Sequence, residues 1–249
     1  GLRLITVLAN GHDIIDSEAA RAAGVAVCNV AGYSTASTAQ TAIGLLLSLT
    51  QGISVNAARC AEGEWTRRGI WSWSDTPLVE LDGKTMAIFG YGAIGRRVGA
   101  VAEALGMRVL AAALPGRPSQ DRVPMAEALA AADVVSLHCP LTPATRGLVD
   151  STFLESMKPS AMLVNAARGP VVDEAAVAAA LRSGRLAGYA TDVLSSEPPP
   201  ADHPLAGAPN CVVTPHLAWA SKEARERLLA ETAANIAAFL AGTPRNRVA

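Results

Sequence analysis

The residues of this chain that could do chemistry gather in two kinds of place: one glycine-rich turn, and the ends of several apolar runs. Gly90-Tyr91-Gly92-Ala93-Ile94-Gly95 has the spacing G-x-G-x-x-G. A β-rich run, Met86-Ala87-Ile88-Phe89, precedes it, a helical pattern follows, and a second apolar run closes near residue 113. In that setting Gly90 permits the turn, Gly92 lets backbone approach a pyrophosphate, and Gly95 lets helix and strand pack closely. The helix start at Ala93 and Ile94 offers unpaired N–H groups and a positive dipole end to phosphates. An acidic residue about 20 positions on would hold a ribose 2′-hydroxyl, but that stretch reads Ala111-Ala112-Ala113. Arg117 follows shortly after. It suits a 2′-phosphate as well as it suits a solvated loop, so NAD and NADP both stay open.

Three further residues follow predicted strands. Arg168 lies past the run 161–165, Glu197 past 187–193, and His216 past 211–214, in Thr214-Pro215-His216. Open parallel α/β sheets place their ligand crevice at the carboxyl ends of the strands. One sheet edge would then carry a cation, a carboxylate and an imidazole beside a dinucleotide loop. That set suits hydride transfer to a 2-keto acid. The guanidinium grips the substrate carboxylate and polarises the keto oxygen. The imidazolium protonates that oxygen, and a neighbouring carboxylate favours the charged ring. Asp192, at a strand end, is placed to hold the nicotinamide carboxamide. His138 ends a strand and reads as packed or ribose-facing. His12 and His203 fall in loops, and His203 reads as solvent-exposed.

Composition excludes other classes. With 21 Lys+Arg against 22 Asp+Glu and a net charge of −1 over 249 residues, the chain lacks the basic face that counterion release demands of a nucleic-acid binder. Apolar stretches such as 42–49 fall short of the ~20 residues a bilayer needs, so no membrane partner is expected. Cys28, Cys60, Cys139 and Cys211 are far apart and show no metal-site spacing. They read as reduced, mostly buried thiols of a cytoplasmic protein that holds no metal.

The elements that must position these groups alternate, strand then helix, which is the sign of a parallel sheet with crossover helices. Strands are expected at 2–9, 25–30, 85–89, 107–113, 134–138, 161–165, 187–193 and 211–214. Helices are expected at 16–23, 93–105, 124–132, 150–157, 173–183 and 222–241, with one long apolar helical segment over 34–61. Residues 62–82 break the rhythm and hold three of the four tryptophans, Trp65, Trp71 and Trp73. A long loop of that kind is usually functional or an interface.

Read together, the motifs resemble the D-isomer-specific 2-hydroxyacid dehydrogenases along the whole chain. The resemblance rests on 29–35 (NVAGYST), 90–95 (GYGAIG), 135–142 (VSLHCPLT), 165–174 (NAARGPVVDE), 192–198 (DVLSSEP) and 214–219 (TPHLAW). Tyr91, Pro198–Pro200 and Ala-Trp-Ala after His216 look most like the glycerate dehydrogenase/hydroxypyruvate reductase group. The resemblance implies a Rossmann-type doubly wound cofactor domain over 35–217. It also implies an incomplete flavodoxin-like substrate domain made of 1–34 and 218–249. Arg168, Glu197 and His216 match the family's catalytic Arg, Glu and His. Ala9-Asn10-Gly11 matches the substrate-carboxylate loop, and Trp219 sits where substrate shape is read. Cys139, Pro140 and Ala166 join the glycine loop, Arg117 and Asp192 as cofactor contacts. A homodimer formed through the cofactor domain and the Trp-rich segment is implied too. The family's acidic ribose residue is missing here, Thr38 and Thr41 replace a commoner Val and His, and Ala166 replaces a small hydroxyl residue. The family's substrate domain also begins about 60 residues earlier, at ~30 residues per βαβ-type step. The sheet edge beside residues 2–9 is therefore expected to be bare or unusually covered. Two other readings stay open: a catalytically weak truncated relative that still binds cofactor, and a dinucleotide-sensing corepressor-like protein.

Overall fold

The computed structural model describes residues 1–75, 77–117 and 120–249. In chain order its elements are β1 (Leu4–Thr6), α1 (Ser17–Ala22), β2 (Ala26–Cys28), α2 (Thr35–Gln51), α3 (Ile53–Ala61), α4 (Glu64–Arg68), β3 (Thr85–Phe89), α5 (Ala93–Ala104) and β4 (Arg108–Ala112). They continue with α6 (Met125–Ala131), β5 (Val134–Leu137), α7 (Ser151–Glu155), β6 (Met162–Asn165), a 3₁₀ turn at Gly169–Val171, α8 (Glu174–Ser183), β7 (Gly188–Thr191), β8 (Cys211–Val213) and α9 (Lys222–Leu240). They form two compact units, one of Gly1–Thr38 with Leu217–Ala249, the other of Ala39–His216.

The larger unit is built on a six-stranded parallel sheet in the order β4-β3-β5-β6-β7-β8. β3, β5, β6 and β7 are buried at every residue, which is why they read as near-continuous apolar runs rather than alternating ones. Successive side chains feed two different cores. Ala87, Phe89, Val135, Leu137 and Leu163 pack with α6, α7 and α8 through Leu129, Phe153 and Leu181. Met86, Ile88, Val134 and Val164 pack with α2 and α5 through Leu45, Leu46 and Val98. Asp150 and Asp173 cap α7 and α8 by accepting backbone N–H groups of the first turn.

Register matters most for function. Phe89 pairs with Leu137, Leu137 with Asn165, Asn165 with Thr191, and Thr191 with Val213. The carboxyl ends of five strands therefore stand level, and Gly90, His138, Ala166, Asp192 and Thr214 follow them in one row. Strand order reverses between β3 and β5, so the topological switch point lies beside the glycine turn.

The long helical segment expected over 34–61 is in fact two helices. Gly52 adopts φ +55 between α2 and α3, and the two axes meet at 64°. Only glycine takes that left-handed conformation without penalty, so a break that hydropathy hides is written in one residue. No single described helix is long and apolar enough to cross a membrane. Residues 62–82 contain the short α4. Glu64 pairs with Arg67 and Arg68, and Asp75 with Arg59 and Arg68.

In the smaller unit β1 and β2 pair in parallel. The strand expected over 2–9 is only three residues long, because Val7 and Ala9 use their backbone groups on the β2 side without extending the ladder. The other edge of β2 is taken by 247–249, with Val248 N donating to Val27 O at 2.8 Å and Val27 N to Ala249 O at 2.9 Å. Among the described residues no strand pairs with the outer edge of β1. Asn235, fully buried on α9, donates to Asn29 O at 2.9 Å and accepts from Asn246. It ties α9 to the chain that follows β2.

Candidate active site

The glycine turn is fixed by space as much as by torsion. Gly90 has φ +100, and a Cβ there would stand 2.4 Å from Cys139 N and from His138 C. A Cβ on Gly95 would stand 2.3 Å from Gly90 O. The turn thus lies against the chain leaving β5, and α5 against the turn. Gly92 differs. It is the N-cap of α5, carries no capping side chain, and a Cβ there would meet no atom of the described residues beyond its chain neighbours within 4 Å. Open space in front of a bare helix N-terminus, at the switch point of a parallel sheet, fits a pyrophosphate. Ala93 is exposed there, and Ile94 packs into the α2/α5 core.

Cys139 meets this turn through its backbone. Its thiol is buried, and burial raises it to about 11, so it is inert as a nucleophile. Pro140 is exposed, and its carbonyl accepts from Thr145 Oγ1 at 2.6 Å. Ala166 is buried in the α2/α5 core. His138 Nε2 lies 2.9 Å from Ser136 Oγ, while its buried Nδ1 has no partner among the described residues. Burial lowers its pKa to about 4. All four cysteines are free; Cys28 and Cys139 are buried, Cys211 is half-buried and Cys60 is exposed.

Beyond β4 the chain turns at Leu114-Pro115-Gly116-Arg117, closed by Arg117 N donating to Leu114 O at 3.2 Å. Arg117 is exposed. The sequence reading missed Arg122. Val123 folds back on β4, with Val123 N donating to Ala111 O at 3.0 Å and Ala113 N to Val123 O at 2.9 Å. That return sets the Arg122 guanidinium over the Tyr91 ring, 5.3 Å from its centroid. A cation therefore flanks the glycine turn where an acidic residue was sought.

At the other end of the row, His216 Nδ1 lies 2.6 Å from Glu197 Oε2. An ionised carboxylate only accepts, so Nδ1 is the donor and Nε2 is left for other work. Glu197 Oε1 accepts from Leu194 N at 2.7 Å. His216 has φ +49, an uncommon conformation for a residue with a side chain. Its own N–H holds it there by donating to Asp192 O at 2.9 Å and Thr214 O at 3.0 Å. Asp192 is buried, and its Oδ1 accepts from Thr214 Oγ1 at 2.6 Å. The half-buried Arg168 donates from Nη1 to Ala167 O at 2.8 Å. Fully buried Asn165 shapes that loop, donating to Arg168 O at 3.0 Å and accepting from Ala167 N at 3.0 Å. Glu197, His216, Leu194, Val213 and Pro198–Pro199 line a cavity of about 350 Å³. Glu197 and His216 are thus in direct contact, and Arg168 stands three residues past the carboxyl end of β6.

Ala9-Asn10-Gly11 and Trp219 belong to the smaller unit. Asn10 accepts at its carbonyl from Asn29 Nδ2 at 2.7 Å and at Oδ1 from Gly32 N at 3.2 Å. Trp219 packs on Val30, Tyr33 and Leu228. His203 overturns its solvent-exposed reading: it is 8% exposed and bonded to Glu174, 7% exposed, at 3.0 Å. Nothing local in the sequence marks a pair 29 residues apart.

A doubly wound sheet with this turn at its switch point fits the class of dinucleotide-binding proteins. Comparison with known proteins narrows the class. The family profile "D-isomer specific 2-hydroxyacid dehydrogenase, NAD binding domain" matches residues 43–218. A hydroxypyruvate reductase of Blautia hydrogenotrophica is 41% identical over 252 residues, covering 99% of this chain and 78% of that protein. A glycerate dehydrogenase of Methylorubrum extorquens is 41% identical over 249 residues, covering 99% and 79%. The crystal structure of the TT0316 protein from Thermus thermophilus superposes with a TM-score of 0.89 at 39% identity, covering 100% and 79%. The chain belongs to the D-isomer-specific 2-hydroxyacid dehydrogenase family, whose members act on a CH–OH group with a nicotinamide cofactor.

Proposed function

We propose that this chain reduces a small 2-keto acid of the hydroxypyruvate or glyoxylate type to its D-2-hydroxy acid, and runs the reverse oxidation. The observation that carries the reading is the His216–Glu197 hydrogen bond, 2.6 Å long, on the sheet edge that also holds the glycine turn. The nicotinamide cofactor, when bound, supplies or takes the hydride. In reduction Arg168 grips the substrate carboxylate and polarises the keto oxygen, and protonated His216 gives that oxygen its Nε2 proton. In oxidation the neutral ring takes the proton back from the hydroxyl. Glu197 holds the ring by Nδ1 in both directions and stabilises its charged form. The N-terminus of α5, with Gly90, Gly92 and Gly95, holds the pyrophosphate, and Asp192 the carboxamide.

On this reading Ala9-Asn10-Gly11 meets the substrate carboxylate, Trp219 bears on substrate shape, and residues 1–34 with 218–249 belong to the substrate domain. It also places the protein in the cytoplasm as a homodimer. Exposed Ile53, Val55, Trp65, Ile70, Trp71 and Leu78, all in the segment 53–78, supply an apolar surface for that association. Turnover is tested by following absorbance at 340 nm as hydroxypyruvate or glyoxylate is added to protein with NADH or NADPH. Turnover lost in His216→Ala supports the assignment. Full activity in that variant refutes it.

A further inference from the structure

Glu174 and His203 form a buried pair that the reaction above does not use. Burying a carboxylate is costly unless every lone pair is met. Glu174 meets three donors. Oε1 accepts from Ser195 N at 2.8 Å, and Oε2 accepts from Ser195 Oγ and from His203 Nε2, the latter at 3.0 Å. His203 Nδ1 accepts from Leu205 N at 3.3 Å, which leaves the ring proton on Nε2, facing Glu174. Two of the three donors thus come from one residue, two positions before Glu197.

The same segment is held from a second side. A Cβ on Gly169 would lie 1.9 Å from Leu194 C and 2.3 Å from Ser195 N. The backbone next to Arg168 therefore rests directly on the Leu194–Ser195 peptide. On that segment Leu194 N–H donates to Glu197 Oε1 at 2.7 Å, and Glu197 Oε2 holds His216 Nδ1 at 2.6 Å. Two consecutive peptides, both carried by Leu194, link all three candidate groups, Arg168 through Gly169 and His216 through Glu197. Side chains that form a hydrogen-bonded chain of this kind act as a unit.

We infer that Glu174, oriented by His203, is a positioning residue: by pinning the Leu194–Ser195 peptide it fixes the Glu197 carboxylate and, through it, the His216 imidazole. This inference rests on the roles proposed above for Glu197 and His216. Its test is a double-mutant cycle of Glu174→Gln and Glu197→Gln, with Ser195→Ala as a milder variant that keeps the buried carboxylate. Glu174→Gln loses one acceptor and turns an amide N–H toward the His203 donor. The expected result is kcat down about 10- to 100-fold, with KM for the keto acid and cofactor Kd within about twofold. Ser195→Ala gives a smaller loss in the same direction. In the Glu197→Gln background neither change costs anything further. The ¹⁵N resonances of the His216 ring in Glu174→Gln move toward those of Glu197→Gln, a signature that a merely structural role leaves unmoved.

Losses that multiply across the cycle, or wild-type kcat in folded Glu174→Gln, overturn the inference alone. If Glu174→Gln does not fold, the Ser195→Ala/Glu197→Gln cycle decides by the same criterion. Wild-type turnover in Glu197→Gln overturns the underlying assignment of Glu197, and the inference with it.

Discussion

Gly92 and Gly95 separate phosphate binding from fold stability, although only two residues divide them. Gly92 caps α5 in an extended conformation, φ −84 and ψ −153, and among the described residues nothing beyond its chain neighbours stands within 4 Å of a Cβ there. In Gly92→Ser the new hydroxyl accepts an N–H of the first turn, as serine does at an N-cap. That leaves stability level or raised by a few tenths of a kcal/mol. The same hydroxyl consumes a donor, and fills a space, that the pyrophosphate needs. Losing one hydrogen bond to a charged group costs about 1.5–3 kcal/mol, or about 10- to 100-fold in Kd. Gly95→Ala does the reverse. Its Cβ would stand 2.3 Å from Gly90 O, which is backbone and cannot swing away. Overpacking of this kind costs about 1–3 kcal/mol, and a unit of this size loses about 2–4 °C of Tm per kcal/mol. Tm by calorimetry and Kd by nucleotide fluorescence, measured on both variants, give the comparison. A Gly92→Ser protein that binds cofactor like the wild type, or melts as early as Gly95→Ala, would refute the placement of the phosphates at α5.

Three further outcomes are expected. His216→Gln should lower kcat by about 10²–10⁴-fold while cofactor Kd, read by fluorescence, stays put; equal losses in both would mean the ring supports the fold rather than the proton. The bare Ala111–Ala113 stretch and Arg122 over Tyr91 favour a 2′-phosphate, so calorimetry should show 2′,5′-ADP binding more tightly than 5′-ADP, with Arg122→Ala narrowing the gap. Equal affinities would instead suit a carboxylate such as Asp121 at the ribose. Burial holds folded His138 at about 4, below the ordinary 6.5, so the unfolded chain binds a proton that the folded chain refuses between those values. Stability is therefore full above about pH 6.5 and falls toward pH 4, by on the order of 3 kcal/mol. His138→Asn should flatten that slope in melts from about pH 4.5 to 7, and an unchanged slope would assign it to other groups.

Much was legible because it is local or follows from sheet polarity. The glycine turn declares itself by spacing between a strand and a helix. The caps Asp150 and Asp173 and the stop at Gly184 bracket their helices within one or two residues. Arg168, Glu197 and His216 stood out because each follows an apolar run, and parallel strands all end on one edge. Gly52 was legible in principle but was overridden by the apolar run that contains it. His203 was misread because a histidine in a proline-rich loop looks solvated until its partner is known.

Taken alone, then, the amino-acid order determined the alternation of strand and helix, the dinucleotide turn, and which residue types reach the sheet edge, since each depends on near neighbours and chain direction. Only the tertiary structure decided the rest. It sets Arg122 on Tyr91, Glu174 between Ser195 and His203, and Leu194 N–H on the Glu197 carboxylate that holds His216. Those contacts join segments that meet only when strand register and helix packing bring them together, and no local pattern encodes that meeting.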